Sequence, residues 1–184
     1  MNQIDRYVFR SFQIDTNRIN SRGHCPNMNQ LEQWYRDGVI QMDMSEVAQR
    51  ESRADRDQKR VEKTFDYVYS ETLANTHEEQ EWLRKIETIL FPKGAKNSNQ
   101  RNDVEIVFNA NKYGSILITA DGASKSQPNG ILGHKVGLKE LGIVVMSDEE
   151  AVTYVRDLIQ KRDQQAIKEY EIFGVQLPDW IGKD

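Results

Sequence analysis

The sequence predicts an α/β fold, a three-layer α/β/α sandwich around a mainly parallel central sheet. Three observations predict it. Lys112-Tyr-Gly-Ser-Ile-Leu-Ile-Thr119 and Glu140-Leu-Gly-Ile-Val-Val-Met-Ser147 share one order: a helix end, a glycine, a short apolar run and a hydroxyl. Two such units in succession imply strands joined by right-handed helical crossovers, hence parallel strands covered by helices. The third observation is that acidic residues fall at the ends of these elements, on the edge where open parallel sheets bind ligands.

The stretch 102–121 organises the chain. Val104, Ile106, Val107, Phe108 and Ala110 are spaced for one face of a helix, which Asn102 or Asp103 starts and Gly114 ends. Ser115 to Thr119 follows as a buried strand. The helix start and the C-terminal end of the strand lie on one side of such a layer, so Asp103 and Asp121 can meet there.

The remaining elements follow in order. Tyr7 to Ile14 reads as the first strand, broken at Arg10 and Ser11, and Asp15-Thr16-Asn17 is a loop with free acceptors or a simple turn. Asn29 to Arg36 reads as a helix stopped by Asp37-Gly38, and Val39 to Met44 as a second strand. Ser45 caps a helix in which Glu51 stands one turn after Val47, and so near the same inner face. Residues 52–63 alternate in charge and suit an exposed helical continuation, with contact to a phosphate backbone as the second reading. Helices are expected over Phe65 to Asn75 and Glu78 to Leu90; in the latter Trp82, Leu83, Ile86, Ile89 and Leu90 repeat at helical spacing and form core. Residues 93–101 are a basic, polar loop, and 122–130 is another polar loop. A short helix over Lys135 to Leu141, a strand over Ile143 to Met146, and a long helix from about Glu149 capped by Ser147 complete the chain. A tail to Asp184 packs on the body.

One domain over residues 1–184 accommodates this, with a helical insertion at about 55–97 and a C-terminal helix and tail at about 149–184. Hydrophobic residues make up 38% and charged residues 29%, a polar but globular balance. The net charge of −4 argues against a general polyanion binder, which is usually basic, and leaves room for a local basic patch. The single cysteine, Cys25, excludes an intrachain disulfide and fits a reducing compartment. No apolar run approaches membrane length and the N-terminus has no apolar leader, so no membrane is expected and the place is read as cytoplasmic.

Four carboxylates thus fall at element ends: Asp15, Glu51, Asp103 and Asp121. Gathered on one edge they repel one another unless protonated or sharing a cation. Hard divalent cations take oxygen ligands and work on phosphates. Asp15-Thr16-Asn17, Ser45 through Glu51, Asp103 opening a helix and Thr119-Ala-Asp121 together resemble, in the right order, the PIN-domain ribonucleases, a family that includes the toxins of bacterial toxin–antitoxin pairs. The resemblance covers about residues 5–155, interrupted over 55–97.

The resemblance implies a PIN-like parallel sheet, Mg²⁺ or Mn²⁺ as cofactor, and hydrolysis of single-stranded RNA by metal-activated water. Asp15, Glu51, Asp103 and Asp121 would be catalytic and metal ligands, directly or through water, with Thr16, Asn17 and Thr119 as supporting polar groups. Glu46 competes for the second acidic place; the spacing from Ser45 favours Glu51. An antitoxin or regulatory protein is the implied partner and a homodimer the implied assembly. Because the chain is acidic, RNA contact falls to the basic loops 93–101 and 122–135, with Lys93, Lys96 and Arg101 as candidates. Two other functions compete. One is a catalytically inactive PIN-like module that binds RNA or protein. The other is a phosphotransfer domain of the haloacid-dehalogenase type, which expects a second Asp where Asn17 stands.

Overall fold

The computed structural model describes residues 5–122, 130–174 and 176–184. Residues 123–129, most of the polar loop expected after Asp121, lie outside them, as do Val175 of the tail and residues 1–4.

Five strands make one sheet: β1 (Ser11–Ile14), β2 (Gln41–Ser45), β3 (Val68–Ser70), β4 (Ile116–Ile118) and β5 (Val145–Met146), in the order β3-β2-β1-β4-β5. Every pairing is parallel. The chain builds outward from β1 to β2 and β3, then returns to the other side of β1 for β4 and β5. The order therefore reverses at β1 and β4, and the crevice beyond the C-terminal ends of that pair is where such sheets take ligands.

The helices are α1 (Pro26–Arg36), α2 (Glu46–Arg53), α3 (Gln58–Lys63), α4 (His77–Leu90), α5 (Ser98–Lys112), α6 (Gly130–Gly133), α7 (Lys135–Glu140) and α8 (Asp148–Phe173). α1 packs against α8, while α5 packs against α2 and α4. β1 shows how the sheet serves both layers. Phe12 meets Tyr154 of α8 edge-on at 6.5 Å, whereas the neighbouring Gln13 reaches the other layer and donates to the carbonyl of Ile106 in α5 at 2.9 Å. Phe12, Ile14, Met44, Leu117, Ile118, Val107 and Phe108 are all buried. This is the three-layer α/β arrangement expected from the sequence.

Capping explains most boundaries. Ser45 accepts from the amide of Ala48, as expected. Thr76 with Glu79 and Ser147 with Glu150 form reciprocal capping boxes at the starts of α4 and α8. Gly38, Gly114 and Gly142 end their helices at φ +72°, +64° and +80°, conformations that side chains with a Cβ resist.

Five expectations need correction. The first strand begins at Ser11, because Phe9 has φ +52° and turns the chain out of extended geometry. α1 begins at Pro26, three residues before Asn29; a proline is suited to a helix start because it lacks an N–H that needs a partner. The charged stretch 52–63 is not one helix: Asp57 accepts from the amide of Lys59 and starts the separate α3. The helix expected over Phe65 to Asn75 is instead a 3₁₀ turn, Thr64–Asp66, followed by edge strand β3, so the stretch 55–97 is only partly helical. Aromatic and β-branched residues at 67–69 favour a strand once β2 is there to pair with. Asn109 of α5 fixes its end by donating to the carbonyls of Ser70 and Glu71. Finally, Asn97 caps α5 by accepting from Gln100, so Asp103 sits in the second turn of that helix and does not open it.

The tail does pack on the body. The Asp184 carboxylate is paired with both Arg6 and Arg162, and the Arg162 guanidinium stacks 4.4 Å over the Trp180 ring.

Candidate metal and phosphodiester site

All four carboxylates singled out in the sequence line one cleft of about 700 Å³ at the C-terminal edge of the sheet. Each comes from a different element. Asp15 follows β1, and its amide extends the ladder by donating to Ile118 at 2.9 Å. Glu51 projects from α2, Asp103 from α5, and Asp121 follows β4. Glu46, the competitor of Glu51, does not line the cleft.

The supporting polar residues form a lattice behind the acids. One Asp15 oxygen accepts from Thr119 Oγ1 and Asn17 Nδ2, both at 2.6 Å. Asn17 uses its own carbonyl to accept from the Ala120 amide at 2.8 Å, and Thr119 Oγ1 accepts from the Asp121 amide at 2.9 Å. The loops after β1 and β4 are thereby tied together. Thr16 serves the other side: its hydroxyl donates to Glu51 Oε2 at 2.9 Å. Asn102 donates to Glu51 Oε1 at 2.6 Å, so both Glu51 oxygens are oriented. Asp121 accepts from the amide of Ile131. A Cβ on Gly130 would stand 2.5 Å from that same carboxylate, so glycine there lets the two segments close up.

The electrostatics follow from this crowding. Burial pushes Asp103 up to about 7, with further upward pressure from Asp121, Asp15 and Glu51. Asp15, 5% exposed, is raised to about 6 by burial, with the Thr119 hydrogen bond opposing and Glu51 and Asp121 adding to the rise. Both acids thus ionise at higher pH than a free carboxyl, and only Asp103 stays partly protonated at neutral pH.

Donor type and charge fit a hard divalent cation. The spacing is looser: among the described residues, no three His, Cys, Asp or Glu side chains converge closely enough to hold an ion as they stand. Asp15 and Glu51 are instead held by the amide and hydroxyl donors just named. Long-range repulsion and close ligation are different conditions, and only the first is met by the side chains as placed.

Several cleft residues were not evident from the sequence. Arg60 lines the wall, donates to the carbonyl of Thr16 and pairs with Asp55 at 3.0 Å. Its signal was the Asp57 cap, which breaks the charged run and turns α3 inward. Asn97, Asn99 and Gln100, at the start of α5, also line the cleft. Lys93, Lys96 and Arg101 are exposed and do not line the cleft. Of the second basic loop, 122–135, residues 123–129 lie outside the described residues, and Lys135 pairs with Glu150.

Among the described residues no helix is long and apolar enough to cross a membrane. No protein-family model matches the chain, and no curated protein does. Among solved structures the chain is similar to VapBC2 from Rickettsia felis bound to a DNA fragment from its promoter, at 15% identity and a TM-score of 0.45, covering 74% of this chain and 98% of that one. It is also similar to FitAB bound to an IR36 DNA fragment, at 14% identity and a TM-score of 0.45, covering 74% of this chain and 94% of that one. At these values the likeness assigns neither family membership nor activity, and the α/β fold stands on the parallel five-stranded sheet itself.

Proposed function

We propose that the chain is a divalent-metal-dependent nuclease that hydrolyses phosphodiester bonds of single-stranded RNA. The observation that carries this reading is the convergence of Asp15, Glu51, Asp103 and Asp121, from four elements, on one cleft at the point where strand order reverses. Mg²⁺ or Mn²⁺ held by these residues, directly or through water, would supply charge neutralisation and an activated water.

The chain's own residues do the rest. Asn17 and Thr119 hold Asp15 in one orientation, and Thr16 and Asn102 hold Glu51. Asp103, pushed up to about 7 by burial and by its acidic neighbours, is the acid whose ionised form a bound cation would stabilise. The amides of Asn97, Asn99 and Gln100 offer hydrogen bonds to a sugar–phosphate chain along the wall.

The looseness of the acid spacing favours a second reading, a PIN-like module that binds RNA or protein and cleaves nothing. Incubating the pure protein with labelled single-stranded RNA in Mn²⁺, Mg²⁺ or EDTA separates the two. Cleavage that needs the metal is expected; intact RNA in every condition removes the nuclease reading, and binding measured on the same RNA then decides for the module.

A further inference from the structure

The 3₁₀ turn Thr16–Arg18 is a ridge with a concavity on either side. One is the acidic cleft. The other, of about 310 Å³, is walled by the loop from Arg18 to Met28, and Asn17 lines both. The second concavity brings Arg18, Arg22 and His24 together and has no carboxylate in its wall. A single short helix serves both sides of the ridge. α3 places Arg60 on the cleft side, bonded to the Thr16 carbonyl, with its Nε buried and without an acceptor. Its capping residue Asp57 holds Arg22 on the other side at 2.8 Å.

We propose that this second concavity is a phosphate subsite for the same nucleic-acid strand that enters the cleft. The strand's backbone crosses the Thr16–Arg18 ridge, with one phosphodiester facing the acids and a flanking phosphate held by Arg18 and Arg22, with His24 beside them. The inference rests on the nuclease reading of the cleft. A cleft of four carboxylates in a chain of net charge −4 repels a polyanion, so cationic groups near the scissile position must hold it. Arg22 is suited to this. Its side chain is 64% exposed, and its pairing with Asp57 is a surface pair that contributes little and exchanges readily. A phosphate offers the guanidinium two parallel hydrogen bonds in its place. Arg18 is tied to Asp148 through Nη1 and to the Asn17 carbonyl through Nε. A guanidinium has five donors, so Arg18 keeps others for a ligand. The substrate class that follows is a polynucleotide with at least one phosphate beyond the scissile one. The exposed Lys93, Lys96 and Arg101, off the cleft wall, are secondary.

The test is fluorescence anisotropy of a labelled single-stranded oligoribonucleotide in EDTA over a range of salt concentrations. Three variants are compared with the wild type: Arg22→Gln/His24→Gln, the charge reversal Arg22→Glu, and the triple Lys93→Ala/Lys96→Ala/Arg101→Ala. Thermal melts followed by circular dichroism check folding; Arg22 and His24 are exposed, so the double Gln variant should melt as wild type, and Arg22→Glu, which sets a carboxylate beside Asp57, slightly below it. Arg22→Gln/His24→Gln should bind several-fold more weakly, with a salt slope shallower by about 0.7 for each phosphate no longer neutralised. Arg22→Glu should bind more weakly still, and the loop triple should change less than either. Unchanged affinity and slope in both pocket variants, or a larger loss in the loop triple, overturns the subsite. Cleavage by the wild type in Mn²⁺ is read in parallel. Binding without cleavage, with the pocket variants impaired, removes the nuclease reading and leaves the subsite standing; cleavage in Mn²⁺ without binding in EDTA removes the subsite alone, and a wild type that neither binds nor cleaves removes both.

Discussion

Gln13 and Asp43 are register partners on β1 and β2, and each buries an oxygen that no hydrogen-bond donor reaches. The Gln13 amide nitrogen is committed to the Ile106 carbonyl, so its free atom is an acceptor. The other Asp43 oxygen takes the hydroxyls of Ser11 and Ser115 at 3.0 and 3.3 Å. Two neighbouring acceptors left bare are costly, and a proton on Asp43 relieves one of them. Burial pushes this carboxyl up to about 6 against the pull of the two serines.

Asp43 should therefore reveal itself in the pH dependence of stability. The folded state holds the proton more tightly than the unfolded chain, whose carboxyl titrates near 3.8. The cost of ionising it is absent below that value, grows as pH rises toward 6, and is full above. Asp15 and Asp103 act in the same sense, over windows reaching about 6 and about 7. Urea unfolding should show stability from these groups falling between pH 4 and 7. Asp43→Asn, neutral at every pH, should flatten that fall and match or exceed wild type at pH 8. An unaltered profile would mean that Asp43 titrates as an ordinary acid.

Asp103→Asn and Asp121→Asn should each abolish RNA cleavage and keep the fold. An amide preserves shape and loses the charge that holds a cation. Far-UV circular dichroism and a nuclease assay on one preparation decide it; full activity in either variant removes that residue from the mechanism.

A cation that binds only the folded protein stabilises it by about 2.7 kcal/mol at a hundredfold excess over Kd. For a domain of this length each kcal/mol raises Tm by about 2–4 °C, so millimolar Mn²⁺ should raise wild-type Tm by several degrees. In EDTA above pH 7, Asp103→Asn should melt at or above wild type, because a buried like charge is gone. It should lose most of the Mn²⁺ effect. The wild-type rise should itself shrink at pH 5, where Asp103 and Asp15 are protonated. Equal melting in EDTA and Mn²⁺ would show that the acids bind no ion.

Thr119→Val removes the hydroxyl that links Asp15 to the Asp121 amide. That hydrogen bond pulls the Asp15 pKa down, so its loss should move the acid limb of the pH–activity profile to higher pH. Stability should fall by about 1–3 kcal/mol, the usual cost of stranding buried polar partners. A profile that stays in place while stability falls would confine Thr119 to a structural role.

Local chemistry is legible in the amino-acid order alone. Glycines after α5 and α7, the Ser45 and Ser147 caps, and the apolar runs at Ile116–Ile118 and Val145–Met146 are readable because caps, turns and periodicity act within a few residues. Parallel strands follow from crossovers, and acids after parallel strands share an edge. That is why the pattern places Asp15 and Asp121 on one edge, while Glu51 and Asp103 are placed by their spacing within helices and by the resemblance; all four line one cleft. Tertiary structure decided what depends on distant partners. Val68-Tyr-Ser70 becomes a strand because β2 is there to pair with and Asn109 is there to hold its end. Arg60 turns from a solvated face to the cleft wall because α2 ends at Arg53 and Asp57 starts a new helix, from which Arg60 reaches the Thr16 carbonyl. How close the four carboxylates stand, and how far burial raises two of them, is a matter of packing between elements distant in sequence, which no local pattern encodes.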